Sequence, residues 1–171
     1  MKFKDYFLGR KLELVSALPP SVVQGRIHQA AGSEFNPFSF GVVGWSRFKR
    51  FRLRFRSSLM DYNAKPMLVG RLMENANGTR ILASFGATFW MKAFFVYWYV
   101  FLLIFSIVAI ASGPFIGANG EEVYFPYFML PLFAVAPIAM HLLFNRGGER
   151  ELTELLAFLE KAADARLEPS K

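Results

Sequence analysis

One short segment interleaves four arginines with apolar residues, and it is the strongest candidate site in the chain. The arginines are Arg50, Arg52, Arg54 and Arg56. Side chains point alternately to opposite faces of a β-strand, so this spacing predicts a strand with Phe51, Leu53 and Phe55 on its core face. The guanidinium groups then form a row on the other face. Each carries a permanent charge and a fork of donors suited to carboxylate or phosphate.

This arginine row has three possible roles. It can contact anionic phospholipid headgroups or an acidic partner, since a basic surface near a membrane attracts anionic lipid. It can also be only a solvated sheet face that carries positive charge. Nucleic acid is disfavoured, because base stacking needs exposed aromatics among the charges, and Phe51 and Phe55 alternate to the opposite face.

Catalytic, cofactor-binding and metal-ligating patterns are absent from the sequence. There is no cysteine, which excludes disulfides, a thiolate nucleophile and sulfur-ligated metals. No nucleophile elbow, P-loop or dinucleotide fingerprint occurs. His28 and His141 each lack nearby residues that could complete a metal site or a proton relay. The sequence therefore predicts no enzyme, no cofactor and no metal.

Two charge-free apolar runs dominate the second half of the chain. They span Ala93–Ser112 and Val123–Phe144, which are 20 and 22 residues long. A helix rises ~1.5 Å per residue, so each run reaches across the ~30 Å hydrocarbon layer of a bilayer. We expect a two-helix transmembrane hairpin within residues 88–144.

The flanking charges predict the orientation of this hairpin. Residues 1–92 contain 15 Lys and Arg against 5 Asp and Glu, and Arg146 and Arg150 follow the second run. The connecting segment Gly113–Glu122 contains no basic residue. Because basic residues favour the cytoplasmic side of a membrane, both termini of this multi-pass protein should be cytoplasmic.

The sequence before the hairpin predicts a small α+β domain at residues 1–87, built as an antiparallel β-meander with a short helix. The helix is expected at Ser21–Ala31, and Asn77-Gly78 signals a tight turn between the last two strands. The expected strands are Lys11–Leu18, Phe40–Trp45, Arg47–Arg56, Pro66–Met73 and Thr79–Ala87. In residues 145–171, leucines at spacings of three and four predict an amphipathic helix packed on the soluble domain.

Several short motifs resemble those of uncharacterised small bacterial inner-membrane proteins with a two-span hairpin and a β-rich cytoplasmic domain. The motifs are Asn63-Ala-Lys-Pro66, Gly70-Arg-Leu and Gly78-Thr79-Arg-Ile81, followed by the aromatic-rich first span. The similarity covers roughly residues 35–145. It implies an inner-membrane setting, without an activity or any functional residue.

These features favour a non-enzymatic interaction or scaffolding module in the membrane, with the arginine row facing anionic lipid or an acidic partner. The alternative is an accessory subunit of a transporter or envelope complex, in which the hairpin packs against larger subunits. A membrane enzyme is less favoured, because catalysis needs convergent titratable groups. The expected partners are the bilayer, anionic headgroups, and a second copy of the chain or a larger membrane complex.

Overall fold

Segments with alternating apolar positions form a six-stranded antiparallel sheet. Its strands are β1 (Arg10–Ser16), β2 (Gly41–Arg47), β3 (Arg50–Arg56), β4 (Met67–Asn75), β5 (Gly78–Gly86) and β8 (Ala165–Leu167). Their order in the sheet is β2-β3-β4-β5-β1-β8. Strands β2 to β5 follow one another as a meander, and β1 and β8 complete the far edge. The predicted α+β class with an antiparallel sheet is confirmed.

The computed structural model describes residues 3–57, 65–112, 115–116, 122–123, 130–136, 138–139 and 147–168. The chain divides into two compact units. The first comprises Met1–Thr88 and Gly147–Lys171, and the second comprises Phe89–Arg146. The sheet lies entirely in the first unit.

Helices α1 (Phe3–Leu8), α2 (Pro20–Ala30) and α5 (Gly148–Ala163) belong to the same unit as the sheet. In α5, Leu155 and Leu159 are fully buried and join the core cluster that contains Phe51 and Leu53. The apolar stripe of α5 therefore covers one face of the sheet, as hydrophobic spacing predicted. The predicted packing of the C-terminal helix on the sheet is confirmed.

The second unit contains α3 (Phe89–Ser112), the short strands β6 (Phe115–Ile116) and β7 (Glu122–Val123), and the helical segment α4 at 130–136. The indole N–H of Trp98 donates to the carbonyl of Phe133 at 3.0 Å, so α3 and α4 are in contact. Within the described residues, α3 alone is long and apolar enough to cross a membrane. The predicted second span, 123–144, lies largely outside the described residues, so a two-span hairpin is not supported here.

The differences from the predicted elements lie in short features. Strand β3 begins at Arg50 rather than Arg47, because residues 48 and 49 form the turn that joins it to β2. Strands β4 and β5 are joined by Ala76 and Asn77, one residue before the predicted turn centre. Helix α1 and strand β8 were not predicted, since they are too short to show a hydrophobic period.

Candidate binding face of the sheet

The sheet has one covered face and one face that α2 and α5 leave open. The cross-strand register places Phe51 and Leu53 on the covered face with Gly70 and Leu68. The alternate residues of every strand point to the other side, which we call the open face. Its basic residues, in the described part of the chain, are Lys11, Arg47, Arg50, Arg52, Arg54, Arg56, Arg71, Arg80 and Arg166.

Three of these arginines lie directly opposite one another across three strands. Arg47 on β2 pairs with Arg50 on β3, and Arg50 pairs in turn with Arg71 on β4. All three side chains are exposed, and none forms an ion pair with another residue in the described ranges. We call them the arginine triplet. Like charges directly opposite on a sheet destabilise it, so the triplet creates a position where an anion would relieve repulsion.

The turn beside the triplet has an unusual backbone. Phe48 and Lys49 have φ values of 51° and 56°, the left-handed region that two-residue hairpin turns require and that glycine or asparagine usually occupies. The Lys49 N–H donates to the Gln24 side-chain oxygen at 2.8 Å, and the Lys49 carbonyl accepts from the Leu72 N–H at 2.8 Å. These contacts hold the strained turn in place. They present Phe48, which is 91% exposed, beside the triplet.

The other arginines of the predicted row have different environments. Arg56 is buried, with 7% of its surface exposed, and its guanidinium donates to the carbonyls of Glu34, Asn36 and Ser39. Arg54 is largely buried, with its Nε 3.9 Å from a Glu34 carboxylate oxygen. The expectation of a uniformly exposed row is therefore wrong, because the connection between α2 and β2 folds over this end of β3.

Arg52 is intermediate in exposure between Arg50 and the more buried Arg54 and Arg56. It is half-buried, and its Nε donates to the sulfur of Met67 at 2.6 Å. Of the four arginines in the predicted contact, Arg50 is thus the one that is exposed on the open face. Arg54 and Arg56 instead fix the loop before β2, a structural role that a sequence period cannot distinguish from exposure.

An apolar ridge runs beside the arginine triplet. Val69 and Met73 on β4 and Leu82 on β5 are about half-exposed. The register pairs Leu82 with Arg71, so Val69 and Met73 are its two diagonal neighbours on β4, and diagonal neighbours lie within about 7–8 Å. Arg71 lies between Val69 and Met73 on β4 and opposite Leu82, so this apolar ridge flanks one member of the triplet.

Acidic residues neutralise little of this face. Glu13 on β1 forms an ion pair with Arg80 on β5, and Glu168 lies at the far edge beside Glu13. On the β2-β3-β4 side, in the described ranges, Glu34 lies 3.9 Å from Arg54 and β4 carries Glu74. Neither forms an ion pair with the arginine triplet there, and the six arginines of these three strands outnumber the two acids, so this side has a net positive field.

No metal or catalytic cluster emerges from the described residues. No three His, Asp or Glu side chains lie close enough together there to hold a metal ion. His28 is exposed on α2, and His141 lies outside the described residues. Comparisons with known protein families, with curated proteins and with solved structures find no match to this chain.

Sequence reasoning did not identify Arg71 or Phe48 as parts of the site. Arg71 is opposite Arg50 only because of the register between β3 and β4, whose connection is too long to fix a register by itself. Phe48 breaks the alternation of the strand, because it occupies an even position like the arginines, whereas Phe51, Leu53 and Phe55 occupy odd ones. The run of basic residues Arg47, Lys49 and Arg50 was the available signal for this turn.

Proposed function

We propose that this chain is a non-enzymatic interaction module anchored in the bacterial inner membrane, and that its open face binds an acidic segment of a protein partner. The observation that carries the proposal is the arginine triplet, three exposed guanidinium groups in register across β2, β3 and β4. Guanidinium groups bind carboxylates through paired hydrogen bonds, and those bonds are about twice as strong as neutral ones.

The length and exposure of α3 support the membrane setting. Its apolar part, Phe89–Ala111, is 23 residues long and reaches roughly 35 Å. Only 17% of its most apolar window is buried within the chain, which differs from the core helix of a soluble protein. Ile104, Ile107 and Ile110 are among its exposed side chains. The bilayer would bury these residues, and a second span within 123–144 would complete the proposed hairpin.

An acidic protein segment fits the open face better than a lipid surface does. The apolar ridge flanks Arg71 of the triplet, and apolar side chains combined with arginine are typical of protein interfaces. The triplet also lies away from the end of the sheet where the chain departs. Arg71 pairs with Leu82, which is four residues, or about 13 Å, before β5 ends at Gly86 and the chain leaves the sheet. The two arginines nearer that end, Arg54 and Arg56, are engaged with the α2–β2 connection.

The test is binding of a fluorescent polyglutamate peptide to the full chain in nanodiscs of zwitterionic lipid, followed by anisotropy. The double variant Arg50→Gln/Arg71→Gln removes two charges from the triplet and retains side chains of similar length. The matched control Arg26→Gln/Lys161→Gln removes two exposed charges from α2 and α5. We expect the triplet variant to lose at least about tenfold in affinity, since each hydrogen bond to a charged group contributes about 1.5–3 kcal/mol and about 1.4 kcal/mol is tenfold.

The control should bind like the parent protein, and added salt should weaken the binding of both. Equal losses in the two variants would show that binding follows net charge alone and would remove the proposal. Vesicles containing phosphatidylglycerol and a single-stranded oligonucleotide are added as competitors in the same assay. If either displaces the labelled peptide more effectively than unlabelled peptide does, the face would be assigned to lipid or to nucleic acid instead.

A further inference from the structure

Both junctions of the sheet unit lie at one end of the sheet. Strand β5 ends at Gly86, the sheet unit ends at Thr88, and the chain re-enters this unit at Gly147. Arg10 on β1 pairs with Phe85, and its guanidinium lies 3.2 Å from the carboxylate of Glu149 in the first turn of α5. The end of β5 and the start of α5 are therefore neighbours. We call this end of the sheet the exit end.

The connection between α2 and β2 lies at the same end. Leu53 on β3 pairs with Leu68, and Leu68 pairs with Phe85 near the end of β5. Three residues further in that direction, Arg56 pairs with Gly41, the first residue of β2. The segment that leads into Gly41 is thus at the exit end. The turn at Phe48 is at the opposite end of the same two strands.

This connection exposes three phenylalanines. Phe35, Phe38 and Phe40 have 94%, 72% and 56% of their surfaces exposed. A cluster of large apolar side chains in water is unfavourable, and such patches mark contacts with a protein or a membrane. The exposed cluster therefore calls for an apolar partner.

The backbone of the connection is fixed in a way that keeps these side chains outside. The buried guanidinium of Arg56 donates to three of its carbonyls, those of Glu34, Asn36 and Ser39. The Asn36 side-chain oxygen accepts from the Phe38 N–H at 3.0 Å, and the Asn36 carbonyl accepts from the Ser39 N–H at 3.2 Å. Binding therefore requires little further ordering of this loop.

We propose that residues 33–40 form an interfacial anchor, which inserts Phe35, Phe38 and Phe40 into the bilayer surface. The inference rests on the proposed function, because it requires that α3 crosses a membrane. Its location supports lipid as the occupant, since β5 ends at this end of the sheet and α3 begins only three residues later in the chain. Leu8, which is also exposed, precedes Arg10 at this end and supplies an apolar contact near the β1 strand. Aromatic and leucine side chains favour the interfacial region of bilayers.

The experiment uses the absence of cysteine to place single nitroxide labels in the full chain, reconstituted in nanodiscs. Labels are attached at Phe38→Cys in the connection, at Phe48→Cys in the opposite turn, and at Leu103→Cys in α3. Phe48 is the matched control, since it is also an exposed phenylalanine of the sheet unit, with 91% of its surface exposed against 72% for Phe38. Collision rates with oxygen, which concentrates in lipid, and with a water-soluble nickel chelate report the depth of each label.

The expected result is an oxygen-to-nickel collision ratio at position 38 several times that at position 48, and a still higher ratio at position 103. An aqueous ratio at 38 with a lipid ratio at 103 would overturn the anchor and leave the span intact. If the ratio at position 38 is aqueous and the spectra show dipolar broadening between labels on different chains, the occupant would be a second copy of the chain. That result would also overturn the anchor. An aqueous ratio at 103 would instead remove the proposed membrane span, and the anchor with it.

Discussion

Arg50 on β3 lies directly opposite Arg71 on β4, and both side chains are exposed on the open face of the sheet. Cross-strand neighbours of like charge destabilise a sheet, whereas opposite charges stabilise it. The nearby pair Arg80 and Glu13 shows the opposite arrangement on β5 and β1. The β3–β4 pairing thus lowers the stability of the free domain at a position suited to an anion.

Replacing either arginine of this pair should therefore stabilise the domain. We expect Arg50→Gln or Arg71→Gln to raise the free energy of unfolding by about 0.2–1 kcal/mol, because it removes the repulsion between the two guanidinium groups. The measurement is urea unfolding of the full chain in mild detergent, followed by far-UV circular dichroism. Arg80→Gln is the control and should have the opposite sign, since it breaks the ion pair with Glu13. A destabilising effect of all three substitutions would show that the pair is not repulsive.

Arg56 should respond differently from the exposed arginines. Its guanidinium is buried and donates to three carbonyls of the α2–β2 connection. We expect Arg56→Gln to lower the free energy of unfolding by about 1.5–3 kcal/mol, because these carbonyls lose a charged donor. Hydrogen exchange at the Phe38 and Ser39 amides should accelerate in the same variant. Arg47→Gln removes an exposed charge that faces Arg50, so it should leave exchange at these amides unchanged and should not lower the free energy of unfolding. Equal losses in the two variants would contradict the assignment.

Gly70 provides a test of the core under the open face. A Cβ at this position would collide with the ring of Phe51 on the neighbouring strand. Gly70→Ala should therefore destabilise the domain by about 1–3 kcal/mol through overpacking. Adding Phe51→Leu to this variant makes room for the methyl group. The loss of unfolding free energy in the double variant should therefore be smaller than the sum of the losses in the two single variants. Additive losses in the same unfolding assay would mean that the two side chains do not compete for space.

The buried phenol of Tyr6 should make the stability of the domain change at alkaline pH. Burial raises the pKa of its phenol from the ordinary value of about 10 to about 12. Above pH 10 the unfolded chain ionises first, so this contribution to stability is complete below pH 10 and is lost as pH rises to about 12. The difference in unfolding free energy between the parent and Tyr6→Phe should therefore change across this window. A constant difference from pH 9 to pH 12 would show that Tyr6 ionises equally in both states.

Local sequence patterns predicted the main elements of the sheet unit because burial imposes a period on them. Phe51 and Leu53 alternate with charge, and Leu152, Leu155 and Leu159 recur at helical spacing. These residues lie in the core as predicted. Helix α1 and strand β8 were missed, because six and three residues are too few to establish a period.

The candidate site was less predictable than the fold, since it depends on pairing between segments. Alternation correctly placed Arg50 and Arg56 on the same face, but it could not show that the α2–β2 connection covers Arg56. The position of Arg71 depends on the β3–β4 register, and the strained turn at Phe48 depends on contacts with Gln24 and Leu72. These are tertiary constraints that no local sequence signal encodes.

The most direct test of the central claim is a reversal of ligand charge at the arginine triplet. In the parent protein, held in zwitterionic nanodiscs, polyglutamate should bind and polylysine should not. In Arg50→Glu/Arg71→Glu the preference should reverse, because glutamates in the same register would attract ammonium groups. The two introduced glutamates still repel each other, while Arg47 now faces an opposite charge, so the stability should not fall below that of the parent.

The comparison is made against Arg26→Glu/Lys161→Glu, which changes net charge equally but on the helices of the opposite side. The measured quantity is the ratio of the two peptide affinities at one salt concentration. The account predicts that this ratio inverts for the triplet variant and stays close to the parent value for the control. The same change of ratio in both variants would contradict a binding site on the open face.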